Sequence, residues 1–328
     1  MLENQYQDVL NYIGKSAKIL VISHRKPDAD TLGAAIAMRI WLGEMKKNVT
    51  LACVDEPGLG MEFFPHINEY VSDFNLGDFD LRIIVDAGAS YMTNFHLKYP
   101  DFFERDLPVI NIDHHASNDN FGLVNIVDPA APSTTVIIYR MFKELNVEIN
   151  PDMATVLLAG IYGDTGGFMH SNTDAEVYKI SSDLMAKGAN VKAIIKSLFK
   201  SKSLETLKLW GKVLENVQIT GDGVVMSVVK DDDYAQVGSS PENLSGVVDY
   251  LNMVPNTKFA VLLNEDRKGN VKGSFRTRQH DLDLSRIAAV FGGGGHPKAS
   301  GFMLPGKLQE NLRYTIVSED LSKRSLDF

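Results

Sequence analysis

A chain of 328 residues with 44% hydrophobic content can fill two packed cores, so two domains are expected. Its single cysteine, Cys53, excludes an internal disulfide framework and any multi-cysteine zinc or iron–sulfur site, and fits a reducing cytoplasm. The net charge of −9 argues against tracking long duplex nucleic acid but leaves room for a small anion in a local basic pocket. No stretch approaches the roughly 20 apolar residues of a membrane span.

The opening MLENQYQDVLNYIGK alternates polar and apolar residues at helical spacing, unlike a signal peptide, and predicts an amphipathic helix. Residues 18–23 (KILVIS) form a continuous apolar run, as a strand buried on both faces requires. A polar loop, HRKPDAD, then leads into the helical TLGAAIAMRIWLGEM. Within that loop His24, Asp28 and Asp30 are spaced so that the two acids can point at different cations. The plain alternative makes Asp30 a helix N-cap and His24 a surface residue. NVTLACV predicts the next strand, with Cys53 in the core. LRIIV is another buried strand, ending at Asp86, whose small neighbours Ala87 and Gly88 leave both carboxylate oxygens approachable. VINI ends at Asp113, His114 and His115, an acid and two imidazoles where a strand meets a loop. Ligand sites of open α/β sheets collect at such strand ends.

Pro129, Pro132 and Ser133 announce a turn and the start of the helix STTVIIYRMFKEL, whose free N–H groups could contact phosphate unless Ser133 simply caps them. A further helix, PDMATVLLAGIYG, has Pro151 at its start and runs into Asp164 with glycines behind it. Two amphipathic helices follow, DAEVYKISSDLMAKGAN and VKAIIKSLF, and LETLKLWGKVLENV opens a second α/β unit. That unit carries strands near VVMSVV, KFAVLLN and VKGSFRT, and helices near NLSGVVDYL and LSRIAAVF. The expected division is 1–190, a connection over 191–205, and 206–328. The second unit ends in four glycines, Gly292 to Gly295, then His296, Pro297, Lys298, Ala299 and Ser300. Such a loop lets backbone N–H groups approach an anion, and Arg276, Arg278, His280, His296 and Lys298 add basic character around it.

The candidate metal ligands are therefore His24, Asp28, Asp30, Asp86, His114 and Asp164. Four acids and two imidazoles without cysteine suit Mn²⁺ or Mg²⁺ better than structural zinc. Four acids are also too many for one ion. Two ions about 3.5–4 Å apart would neutralise them and activate a water, an arrangement suited to phosphoryl transfer.

HRKPDAD, VDAG, DHH and GDTGG resemble the four motifs of the DHH phosphoesterase superfamily, and GGGGHPKASG resembles the signature of its DHH-associated C-terminal domain. The motifs stand in family order across both domains. The resemblance implies an N-terminal domain with a mostly parallel sheet flanked by helices, a smaller α/β C-terminal domain, and an active site in the cleft between them. It is strongest to the cytoplasmic nano-RNase type, which degrades very short oligonucleotides and in many members dephosphorylates nucleoside 3′,5′-bisphosphates such as pAp. It implies two Mn²⁺, with Mg²⁺ as a substitute: one held by His24, Asp28 and Asp86, the other by Asp30, Asp86, His114 and Asp164, with Asp86 bridging. Asp113 would orient a metal ligand and His115 would face the scissile phosphate. Arg276, Gly293, Gly294, Gly295, His296, Lys298 and Ser300 would grip the substrate, and a homodimer is a permitted assembly. A phosphodiesterase for cyclic dinucleotides or their linear products is the alternative within this chemistry, and a non-catalytic nucleic-acid-binding scaffold the alternative outside it. One departure stands out: many relatives carry Arg after Asp-Thr-Gly, where this chain has Gly167, with His170 as the candidate substitute.

Overall fold

The computed structural model describes residues 2–58, 60–103, 107–199, 202–309, 313–318 and 321–327. Two compact units divide the chain, residues 1–201 and 202–328.

In the first unit the elements run α1 (Leu2–Lys15), β1 (Lys18–Ile22), α2 (Ala29–Glu44), β2 (Asn48–Ala52), β3 (Leu81–Val85), α3 (Phe95–Lys98), β4 (Val109–Asp113), β5 (Val124–Val127), α4 (Thr134–Glu144), α5 (Pro151–Asp164), α6 (Ala175–Ala186) and α7 (Val191–Phe199). The five strands are parallel, in the order β2-β1-β3-β4-β5. Both faces of this sheet are covered, which is why its strands read as unbroken apolar runs. Ile19, Val21, Ile83, Val85, Ile110 and Ile112 face a core with α2, α4 and α5. Leu20, Ile22 and Ile84 face a second core containing Phe95 and Phe102. Helix α2 is buried along nearly its whole length because it lies between the sheet and α5. β5 was not foreseen: it is four residues long with only alternate side chains buried, too faint a pattern beside the proline-rich turn that follows.

This strand order has a switch point. The chain leaves β1 toward β2 on one side, and returns to build β3 and then β4 on the other. The carboxyl ends of the strands at such a point are the usual ligand position in open sheets. The loops after β1, β3 and β4 are those carrying His24, Asp86 and the Asp113–His115 run.

The second unit contains α8 (Leu204–Glu215), β6 (Gln218–Ile219), β7 (Val224–Val229), α9 (Asp231–Val237), α10 (Val247–Leu251), β8 (Phe259–Glu265), β9 (Asn270–Arg276), α11 (Leu284–Val290), β10 (Gly294–His296) and β11 (Ala299–Pro305), followed by a hairpin of β12 (Arg313–Ser318) and β13 (Leu321–Asp327). Its six-stranded sheet has the order β10-β11-β9-β8-β7-β6 and is mixed, with only β7 and β8 parallel. One face packs on α8, α9 and α10 through Leu209, Val213, Tyr234 and Val247, the other on α11 through Leu284 and Ala288. Within the expected connection, 191–199 is helix α7, packed on α5 of the first unit, while 200 and 201 lie outside the described residues.

Candidate metal centre

The loop after β1 delivers two ligands with different supports. Asp28 is the N-cap of α2: its Oδ1 accepts the N–H groups of Asp30 (3.0 Å) and Thr31 (3.1 Å). The cap is therefore Asp28 and not Asp30, the position the simplest reading of the loop assigned it. The other oxygen, Oδ2, faces His24 Nε2 at 3.9 Å. The His24 Nδ1–H donates to the Arg25 carbonyl (2.7 Å), since a carbonyl can only accept. That bond engages Nδ1 and leaves Nε2 as the nitrogen turned to the acids, the one a cation would take on displacing its proton.

Asp30, one residue into α2, is fully buried. Its Oδ2 accepts the Thr134 N–H (2.6 Å), and its Oδ1 accepts both the N–H (3.0 Å) and the hydroxyl (2.6 Å) of Thr135. These donors belong to the first turn of α4, whose N-cap, Ser133, accepts from the Val136 N–H. The N-terminus of α4 thus contacts a carboxylate, and the phosphate contact considered for its N–H groups is not how these donors are engaged. Close approach of α5 completes the pocket. A Cβ on Gly160 would stand 2.5 Å from the Thr135 hydroxyl and 2.6 Å from Asp30 Oδ1, so only glycine fits.

Asp86 follows β3 with φ of 57°, in the left-handed region that a non-glycine residue occupies only under constraint. Only 2% exposed, it turns its two oxygens to different neighbours. Oδ2 lies 3.3 Å from His24 Nε2; Oδ1 lies 3.6 Å from His114 Nε2 and accepts the Thr134 hydroxyl at 3.0 Å. His114 repeats the His24 pattern: Nδ1–H donates to the Ala131 carbonyl (3.3 Å), and Nε2 faces Asp164 Oδ2 at 3.3 Å. Asp164 is the last residue of α5.

Three groups of side chains therefore bring potential ligand atoms within 4.8 Å of one another: His24, Asp28 and Asp86; Asp30, His114 and Asp164; and Asp86, His114 and His115. All six expected ligands converge here. The charges do not balance within the protein. Burial, then the charges of Asp86 and Asp28, push the Asp30 carboxyl up to about 7, partly opposed by His114 and Thr135. Burial and the neighbouring Asp30, Asp28 and Asp86 carry Asp164 well above the usual carboxylate range. Burial would also raise Asp86, but its hydrogen bond to His24 and the His24, His114 and His115 charges hold it below that range. Burial works against charge on His24, yet the Asp86 bond and charge lift it to about 9. A set of hard donors whose own charges repel fits divalent cations.

Asp113, at the end of β4, is buried and bonds His115 instead of His114. Its Oδ1 accepts His115 Nδ1–H at 2.7 Å, and its Oδ2 accepts the Asn118 amide at 2.6 Å. The Asp113 bond outweighs burial and lifts His115 to about 9, so a partly exposed imidazolium stands at the rim of the cluster. Sequence reading passed over Asn118, Thr134 and Thr135 in these roles; Asn118 closely follows the DHH motif, whereas the two threonines follow Ser133 at a helix start, far from any ligand motif. His170 donates through Nδ1 to the Asp164 carbonyl (3.1 Å) and is exposed.

In the second unit the glycine run is part of a hairpin. β10 pairs with β11 through Gly294↔Gly301, Gly295↔Ser300 and His296↔Ala299. Gly295 has φ of 132°, and a Cβ there would stand 2.8 Å from the Ala299 carbonyl. A Cβ on Gly293 would meet the Gly301 carbonyl at 2.2 Å. His296 Nδ1 accepts the Lys298 N–H across the turn. Lys298, expected among the substrate contacts, directs its ammonium to the carbonyls of Gln279 (2.5 Å), His280 (2.9 Å) and Leu282 (2.9 Å). Those three bonds engage all its donors, so Lys298 clamps the 279–282 loop and has none left for a ligand. Arg276 pairs with Asp249 through Nε (2.9 Å) and with the Phe275 carbonyl through Nη1 (3.0 Å), and keeps part of its surface exposed. The Ser300 hydroxyl is buried without a hydrogen-bond partner among the described residues.

Among the described residues, no helix is long and apolar enough to cross a membrane. The chain is 28% identical over 289 residues, 88% of its length and 84% of the relative's, to the bifunctional oligoribonuclease and PAP phosphatase NrnA of Thermus thermophilus. It is 26% identical to the protein of the same name from Bacillus subtilis, over 86% of this chain and 88% of that one. A crystal structure of an exopolyphosphatase-related protein from Bacteroides fragilis shares the fold, with a TM-score of 0.86 and 23% identity over 93% of this chain and 92% of that one. Residues 18–161 match the DHH family N-terminal domain and residues 221–318 match the DHHA1 domain, so the chain belongs to the DHH family of hydrolases.

Proposed function

We propose that this chain hydrolyses very short oligonucleotides to mononucleotides, and removes a phosphate from nucleoside 3′,5′-bisphosphates such as pAp, with two divalent cations at the switch point of the first sheet. The observation that carries the reading is Asp86, whose two oxygens face His24 on one side and His114 on the other. One cation would be held by His24, Asp28 and Asp86, the second by Asp30, Asp86, His114 and Asp164, and Mn²⁺ and Mg²⁺ suit these donors. Cations there would neutralise phosphate charge and lower the pKa of a water.

The side chains do the rest. Thr134, Thr135 and the carbonyls of Arg25 and Ala131 hold the ligands in place before substrate arrives. His115, kept protonated by Asp113, would donate through Nε2 to the phosphoryl group or the departing oxygen. Arg276 and the backbone of Gly293, Gly294 and Gly295, with His296 and Ser300, would hold the substrate's far end. Lys298 would act there by shaping the loop. The names of the Thermus and Bacillus relatives support this substrate class. The −9 charge supports the preference for short chains, because each added nucleotide brings a further phosphate to a protein whose net charge is already negative.

The test is a panel of pAp, a labelled dinucleotide, a five-nucleotide RNA, a longer RNA and cyclic di-AMP, each with Mn²⁺, with Mg²⁺ and with chelator. Turnover of the dinucleotide and pAp that vanishes with chelator or with Asp86→Ala is expected. Preference for long RNA, for cyclic di-AMP, or activity indifferent to chelator would overturn the reading.

A further inference from the structure

We infer that Asn118 is a positioning residue for this reaction, fixing His115 by holding Asp113 and by tying together the ends of β3 and β4. The inference rests on the reading of His115 as the group that meets the phosphate. A carboxylate bonded only to His115 could rotate and carry the imidazole with it. Asp113 is pinned from both sides: Oδ1 accepts from His115 (2.7 Å), and Oδ2 accepts from Asn118 Nδ2 (2.6 Å).

The orientation of the Asn118 amide follows from its partners. The second Nδ2 hydrogen goes to the Ala87 carbonyl (3.2 Å), which can only accept. Its Oδ1 receives the Asn120 N–H (2.7 Å), which can only donate, and the Asn111 amide (3.0 Å) from inside β4. Four bonds engage the whole capacity of the group and forbid a flip. Ala87 directly follows Asp86, so one side chain links the backbone beside the shared carboxylate to the acid that carries His115.

The loop after β4 is closed around the same residue. The Asn118 N–H donates to the His115 carbonyl (3.1 Å), and the Asp119 N–H to the Gly88 carbonyl (3.1 Å). A Cβ on Gly88 would stand 3.1 Å from His115 Cβ, so the imidazole is backed by the β3 loop. With its capacity filled by these four partners, the Asn118 amide bonds none of the six proposed ligand side chains. Its loss should therefore misplace His115 while leaving the cations bound. A displacement of about 1 Å at a reacting group can cost on the order of a hundredfold in rate.

The experiment is a double-mutant cycle on the full-length protein with a labelled dinucleotide and, separately, pAp, both with Mn²⁺. Asn118→Ala, His115→Ala and the double variant are compared for kcat, KM and bound metal. Asn118→Asp, which keeps the size but cannot donate to Asp113 when ionised, runs through the same cycle and serves alone should Asn118→Ala not fold. The expected result is a fall in kcat of about 10–100-fold for either Asn118 variant. KM should change little, metal content should match wild type, and no further loss should appear in the His115→Ala background. An equal loss in both backgrounds, or loss of metal with kcat, would overturn the inference and leave the role of His115 standing. Undiminished kcat in His115→Ala would instead overturn the reading of His115, and the inference with it.

Discussion

Thr134 is the residue on which the proposed centre can be tested without substrate. Its backbone N–H donates to Asp30 Oδ2 at 2.6 Å, and its hydroxyl donates to Asp86 Oδ1 at 3.0 Å. It thus supports one carboxylate assigned to the second cation and the one assigned to both. Thr134→Val removes only the hydroxyl and keeps the shape and the bond to Asp30. A hydrogen bond to a charged group contributes about 1.5–3 kcal/mol, and 1.4 kcal/mol is a factor of ten in affinity. Removing such a partner of a metal ligand typically weakens binding about 10–100-fold. Titration of chelated protein with Mn²⁺ by calorimetry should show that loss in Thr134→Val and near-complete recovery in Thr134→Ser. Wild-type affinity in the valine variant would refute the argument that this hydroxyl sets Asp86 for a cation, as would a serine variant equally weakened.

Gly160→Ala should cost about 1–3 kcal/mol of stability and weaken Mn²⁺ binding together, because its Cβ must displace Thr135 or Asp30; thermal unfolding with and without metal checks both, and an unchanged pair of values would refute the close fit. Arg276→Ala should raise KM for a dinucleotide while metal content stays constant, as measured by kinetics beside metal analysis; loss of metal would place Arg276 wrongly. The chelated protein should lose stability from about pH 5 to about pH 9. Asp30, lifted to about 7 from an ordinary 3.8, keeps a proton that the unfolded chain releases, so its contribution declines as pH rises through that interval. His24 and His115, lifted to about 9 from 6.5, contribute fully below the lower value and lose it through the upper one. Asp86, held below its ordinary range, contributes fully above about pH 4 and is constant across this window. A Tm in chelator that holds or rises across it would refute these assignments.

What the chain made legible was local. Apolar runs ending in a histidine or an acid marked β1, β3 and β4, and five motifs in order pointed to the family. The partners that hold those acids are distant in sequence: Asp30 takes its hydrogen bonds from residues 104 and 105 positions away, and the Asn118 amide reaches the Ala87 carbonyl 31 positions back. No periodicity encodes such pairs, because they exist only once β3, β4 and α4 stand side by side. Lys298 shows the same limit. A cation beside glycines reads as an anion contact, yet the turn that places it there also gathers three carbonyls around its ammonium. α9 escaped notice because DDDYAQV is short and acidic, although acids at a helix N-terminus are favourable there.

The use made of α4 explains why the proposed chemistry would need cations. A helix N-terminus after a turn is a ready anion site, and in many nucleotide-binding folds phosphate takes it. Here Asp30 occupies that position, with both oxygens bonded to the first turn of the helix. The helix field therefore stabilises a buried carboxylate and is not offered to substrate. Asp30 still faces Asp86, Asp28 and Asp164, and their mutual repulsion persists after the helix has contributed its share. Divalent charge would relieve that repulsion and turn the acidic pocket into one that accepts phosphate. Anion binding and charge neutralisation would then arise in one step, so the affinity for phosphate should track metal occupancy. Equilibrium dialysis with inorganic phosphate at graded Mn²⁺ measures this directly: binding that rises with the second equivalent of metal is expected, and binding by chelated protein would refute it.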